Sequence, residues 1–149
     1  MSAPRSRAIF GCTGLKLAAE ERDFFRETQP WGFILFGRNI ESPEQITRLV
    51  SALRETVNDP SAPVLIDQEG GRVARLKPPQ WKERPPAQRF ADLHATAPEE
   101  AREAAYLNAR LIARDLTDLG INVDCLPVLD VPVEGAHDII GDRAYGRDP

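Results

Sequence analysis

Short apolar runs alternate along this chain with longer stretches of helical periodicity, and that alternation restricts the fold more than any other feature. Runs at 7–12, 32–36, 63–66 and 122–126 have the length of strands. Between most of them, apolar residues recur every three or four positions, as on one face of a helix. A strand-then-helix order builds a parallel sheet, because parallel neighbours need a long crossover that a helix supplies. The expected class is α/β with about four to five parallel strands.

Local signals place the elements. A helix at 18–28 must stop before Pro30, since the residue preceding a proline avoids the helical region. Ser42 can cap a second helix with Pro43 at its first position and Gln45 reaching back as a capping box. Ile46, Leu49, Val50, Leu53 and Val57 then share one face. The continuously apolar 63–66 reads as a strand buried on both sides. The longest helix is expected over 98–119, opened by Thr96 and Glu99 as a capping box and stopped by Gly120, with Ala101, Ala104, Ala105, Asn108, Ile112, Asp115, Leu116 and Leu119 near one stripe. Residues 76–93 hold Pro78, Pro79, Pro85 and Pro86 around Trp81. The segment reads either as a functional loop or as an irregular cover over the sheet's rim. Residues 127–149 read as loop.

Composition narrows the function classes. The 149 residues are 42% hydrophobic and 28% charged, which suits one core rather than two. A net charge of −4 with no basic block makes nucleic acid an unexpected partner. The apolar stretch near the N-terminus (Ala8, Ile9, Phe10) is too short for a signal peptide or a membrane span, so a cytoplasmic protein with no membrane partner is expected. Cys12 and Cys125 lack metal-type spacing and are expected to be reduced and buried. His94 and His137 stand apart from any nucleophile, and surface or capping roles are expected for them.

The densest chemistry follows the third run: Asp67-Gln68-Glu69-Gly70-Gly71-Arg72-Val73-Ala74-Arg75. Ligands of parallel α/β folds bind at the C-terminal strand ends, where a carboxylate such as Asp67 can accept from two hydroxyls at once. Gly70 and Gly71 permit a sharp turn that returns Arg72 and Arg75 toward that edge. No phosphate-loop glycine pattern surrounds them, and no His or Cys accompanies the carboxylates as a metal ligand. A polyol or sugar site and an Asp/Arg network that merely stiffens the loop both fit these residues. A second segment carries Asp130 after the last run, then Gly141-Asp142-Arg143. There Arg143 either crosses to the same edge or pairs with its neighbour Asp142.

Four ordered segments carry a resemblance: Phe33-Ile34-Leu35-Phe36-Gly37-Arg38-Asn39-Ile40, Ile66-Asp67-Gln68-Glu69-Gly70-Gly71-Arg72-Val73, Pro127-Val128-Leu129-Asp130-Val131 and Ile140-Gly141-Asp142-Arg143-Ala144-Tyr145-Gly146. Together they resemble the motifs of glycoside hydrolase family 3, above all its bacterial β-N-acetylhexosaminidase branch in peptidoglycan recycling. The resemblance implies the N-terminal part of a (β/α)8 TIM barrel, with no second domain. It also implies a retaining glycosidase that removes terminal non-reducing N-acetylglucosamine from muropeptide fragments, with no cofactor and no metal. By the same resemblance Asp67, Arg75 and Arg143 bind the sugar, and Arg38, Arg72 and Asp130 form a supporting shell.

The family's nucleophilic Asp, its loop His and a sugar-binding Lys-His pair fall in later strands. No catalytic residue is therefore expected among residues 1–149, and this chain alone is expected to be inactive. A complete barrel takes about 250 residues, so the chain reads as an incomplete one. Two other readings stand beside this. One is a non-catalytic sugar-binding or assembly module that self-associates through open barrel edges. The other is a β-glucosidase of the same family.

Overall fold

The structure is a computed structural model and describes residues 5–135 and 137–148. The chain forms two compact units: Met1–Asp67 with Leu116–Asp124, and Gln68–Asp115 with Cys125–Pro149.

The first unit holds a parallel sheet of β1 (Ser6–Phe10), β2 (Pro30–Leu35), β3 (Val64–Ile66) and β4 (Val123–Asp124), in that spatial order. β2 and β3 pair Phe33 with Val64 and Leu35 with Ile66, so their C-terminal ends are level. Phe33, Leu35, Val64 and Ile66 alternate onto one face and are fully buried, whereas Ile34 and Leu65 on the other face are half-buried, so the expected burial of 63–66 on both sides is met on one side only. At Gly32 any Cβ would stand 2.8 Å from the Pro63 carbonyl oxygen, which explains a glycine inside the best-buried strand.

α1 (Ala19–Thr28) and α2 (Pro43–Thr56) follow β1 and β2. Phe25 of α1 meets the Phe33 ring edge-on at 5.3 Å and stacks on Phe10 at 6.0 Å. Ile46, Leu49, Val50 and Leu53 form the buried face of α2, each contributing about 1.5–3 kcal/mol through burial. Ser42 caps α2 as expected, its hydroxyl accepting from the Gln45 N–H at 3.2 Å. The reciprocal half differs. The Gln45 carbonyl accepts from the Glu41 N–H, and its amide donates to the Leu15 and Asn39 carbonyls, so Gln45 staples two loops instead of closing a box.

The strands are shifted or shortened relative to the apolar runs. β1 ends at Phe10 because the Cys12 carbonyl accepts from the side chains of Arg38 and Asn39. β2 begins at Pro30, a first-strand position that tolerates a missing N–H. Beside β4, the Asn122 side chain accepts from the Val64 N–H at 2.8 Å.

The second unit holds α3 (Gln88–His94) and most of α4 (Pro98–Thr117). α3 was not expected, because four prolines dominate the segment before it. The chain becomes helical immediately after Pro86, and the buried Phe90 stacks on Tyr145 at 6.2 Å. The expected Thr96/Glu99 box does not form. α3 hands over to α4 through a helical turn in which the Ala97 N–H donates to the Leu93 carbonyl, and Thr96 donates its hydroxyl to that same carbonyl. α4 ends at Thr117, two residues before the expected 119, and Gly120 closes it as read, at φ +80° with the Ile121 N–H donating back to the Leu116 carbonyl. Cys12 is buried, whereas Cys125 is exposed, one residue beyond the short β4.

Candidate functional site at the strand ends

In the first unit, Asp67 immediately follows β3 and is half-buried. Arg38 lies in a 3-10 turn (Gly37–Asn39) beyond the end of β2. It donates from Nε to the Cys12 carbonyl at 2.9 Å and lays its guanidinium over the Phe36 ring at 4.7 Å. Asn39 is fully buried beside it and donates to the carbonyls of Cys12 and Gly14. Burial, reinforced by the negative charge of Glu21, pushes the Cys12 thiol up to about 11. This thiol is therefore inert packing at neutral pH, and Arg38 ties the end of β1 to the turn after β2.

The second unit begins with a closed loop. The Gln68 side-chain carbonyl accepts from the N–H groups of Arg75 and Leu76 at 2.8 and 2.9 Å, and its amide donates to the Leu76 carbonyl. Within that loop, the N–H groups of Glu69 and Gly70 both donate to the Val73 carbonyl. Gly70 is obligatory at φ +101°, because a Cβ there would lie 2.3 Å from the Pro85 carbonyl oxygen.

Two ion pairs join this loop to the 3-10 turn Gly141–Arg143. Arg143 donates from Nε and Nη2 to the two oxygens of Glu69 at 2.8 and 2.7 Å. The Glu69 side chain is only 7% exposed and that of Arg143 26%, so this two-pronged pair is shielded from water. Arg72 donates from Nε to Asp142 at 2.8 Å and from Nη2 to the Ile139 and Ile140 carbonyls, in a more open setting. The pairing of Arg143 with its neighbour Asp142, one of the two sequence readings, does not occur. Consecutive residues on this tight turn instead serve different partners 70 or more positions away.

The structure thus brings Glu69, Arg72, Asp142 and Arg143 together. Asp130 is exposed and, with Arg72, Asp142 and His137, lines an open cavity of about 760 Å³. Arg75 is half-buried and is anchored through its backbone to Gln68. His94, in the last turn of α3, and His137 are both exposed. Sequence reasoning passed over Glu69 as a partner. Its signal was its place two residues after Asp67 in a glycine-rich turn. Among the described residues, no group of three or more His, Cys, Asp or Glu could hold a metal ion, and no helix is long and apolar enough to cross a membrane.

The chain is 36% identical over 141 residues to a beta-hexosaminidase of Stenotrophomonas maltophilia and, equally, to one of Xanthomonas campestris. It covers 95% of itself but only 41% of each relative, about two fifths of their length. Among solved structures it is similar to NagZ from Neisseria gonorrhoeae in complex with N-trifluoroacetyl-D-glucosamine, with a TM-score of 0.89 and 27% identity over 98% of this chain and 42% of that one. It is also similar to a glycoside hydrolase family 3 β-N-acetylglucosaminidase from Paenibacillus, with a TM-score of 0.77 and 30% identity over 93% and 26% of the two chains. The α/β fold is therefore the N-terminal part of the barrel these proteins share. Residues 5–149 match the glycosyl hydrolase family 3 N terminal domain, and the chain belongs to that family.

Proposed function

We propose that these residues are the N-terminal, sugar-binding part of a retaining β-N-acetylhexosaminidase acting on terminal N-acetylglucosamine. The observation that carries this reading is the 36% identity, over nearly the whole chain, to proteins named beta-hexosaminidase. Asp67 would accept hydrogen bonds from sugar hydroxyls, and Arg75 and Arg143 would donate to them. The nucleophile and the acid/base come from residues outside this segment, since retention needs both groups and this segment holds no match to either. The natural substrate is proposed to be a peptidoglycan fragment and the compartment the cytoplasm.

The test compares the 149-residue chain with the full-length enzyme on a chromogenic N-acetylglucosaminide and on the matching glucoside. Turnover by the full-length enzyme, preferring the acetamido sugar and absent from the 149-residue chain, is expected. Robust turnover by the short chain, abolished by a substitution within it, would overturn the assignment of the chemistry to other residues. Preference for the glucoside would replace the substrate class.

A further inference from the structure

The two prongs between Glu69 and Arg143 do more than neutralise charge. A guanidinium has five N–H donors in a rigid plane, and a side-on carboxylate that engages Nε and Nη2 fixes the orientation of that plane. Glu69 is well placed to do this. Its carboxylate is buried, both its oxygens are engaged by Arg143, and its backbone is held by the Val73 carbonyl next to a glycine that Pro85 permits no side chain. The residue carrying the guanidinium, by contrast, sits on a three-residue turn in a glycine-containing loop. Glu69 is the more enclosed partner and Arg143 the more exposed one.

Charge balance points the same way. Glu69 and Asp142 offset Arg143 and Arg72, leaving the cluster formally neutral. An uncompensated arginine pair would attract phosphates and carboxylates. A compensated one has no net charge to draw an anion, which suits an uncharged hydroxyl ligand.

We propose that Glu69 is a positioning residue for the sugar site: its buried carboxylate sets the orientation of the Arg143 guanidinium, and it acts on substrate only through Arg143. This rests on the reading of Arg143 as a sugar-binding residue.

The experiment is a double-mutant cycle in the full-length enzyme, with Glu69→Gln, Arg143→Ala and the double variant assayed for KM and kcat on a chromogenic N-acetylglucosaminide. Glu69→Gln is expected to raise KM about tenfold with little change in kcat, the pattern of lost uniform binding. Arg143→Ala is expected to raise KM further, and adding Glu69→Gln to it should change KM by less than about twofold, because the two residues act as one unit. An equal effect of Glu69→Gln with and without Arg143 would show Glu69 acting on substrate directly and overturn the proposal. A KM that Glu69→Gln leaves unchanged while Arg143→Ala raises it would overturn the positioning role alone. A KM that Arg143→Ala leaves unchanged would overturn the sugar-binding reading and this inference with it. Where Glu69→Gln lacks a cooperative melting transition, Glu69→Asp, which keeps the charge on a shorter arm, is read by the same criteria. Failure of both variants to fold would assign Glu69 a purely structural role and overturn the proposal.

Discussion

The side-chain amide of Asn39 donates to the backbone carbonyl of Cys12 at 3.1 Å, across 27 positions of sequence. The same amide donates to the Gly14 carbonyl at 2.8 Å, while its carbonyl accepts from the Phe36 N–H at 2.9 Å. One buried side chain thereby supplies the hydrogen bonds that the sheet stops providing where β1 and β2 end. Asn39→Leu would take this partner from the Phe36 N–H and the Gly14 carbonyl, while the Cys12 carbonyl keeps Arg38, and is expected to cost about 3 kcal/mol, read as a lower urea midpoint at unchanged slope. Asn39→Asp, which turns an oxygen toward two carbonyl oxygens, is expected to cost no less.

The two cysteines are expected to differ sharply toward an alkylating reagent. At pH 8 the exposed Cys125 should be modified within minutes in the folded protein, and the buried Cys12 only on unfolding, as peptide mass mapping would show. The raised Cys12 value also has a sign. Its folded value of about 11 lies above the ordinary 9.0, so the proton is held more tightly in the folded state. This contribution to stability is fully present below pH 9 and is lost as pH rises through 11. Urea titrations at pH 7 and pH 10 should show a drop in stability that Cys12→Ala lessens.

Gly70 and Gly135 both have positive φ, at +101° and +78°, but they differ in surroundings. A Cβ at Gly135 meets nothing within 4 Å, and at Gly70 it meets the Pro85 carbonyl. Gly135→Ala is expected to cost about 1 kcal/mol from backbone strain alone, whereas Gly70→Ala must also displace Pro85 and should exceed about 3 kcal/mol. Equal thermal shifts for the two variants would contradict the close packing of the loop on Pro85.

Arg84 ties the proline-rich segment to α4 by donating to Asp115 at 2.7 Å, with only 12% of its side chain exposed. Arg84→Met keeps most of the aliphatic bulk and removes the charge, leaving Asp115 without this partner. Because Asp115 retains 29% exposure, a loss of about 1–2 kcal/mol is expected rather than the larger penalty of a fully buried charge. The companion Asp115→Asn should cost less than Arg84→Met.

What the sequence revealed follows from which interactions are local. The start of α2 was legible because Ser42 and Pro43 act within one turn, and its buried face because Ile46, Leu49, Val50 and Leu53 repeat with the helix. The stop at Gly120 was legible for the same reason. Thr96 misled because a capping residue is recognised by the coil before it, and here a helical turn precedes it instead. α3 was hidden because seven residues carry too few apolar repeats to outweigh Pro85 and Pro86. The buried reading of Cys125 failed because β4 is two residues long and ends before it. At the candidate site, the position of Asp67 just beyond β3 was legible from the apolar run before it. The partner of Arg143 was not, since nothing in the turn around it points 74 residues back to Glu69.

The two ion pairs also form an address. Along one segment the charges run negative then positive, Glu69 then Arg72, and along the other they also run negative then positive, Asp142 then Arg143. Only when the two are read in opposite directions does every sign meet its opposite. Reading them in the same direction would set Glu69 against Asp142 and Arg72 against Arg143, two repulsions in place of two attractions. Four side chains thus encode which way round the later loop is accepted, and the code discriminates between orientations whatever ligand eventually lies against it.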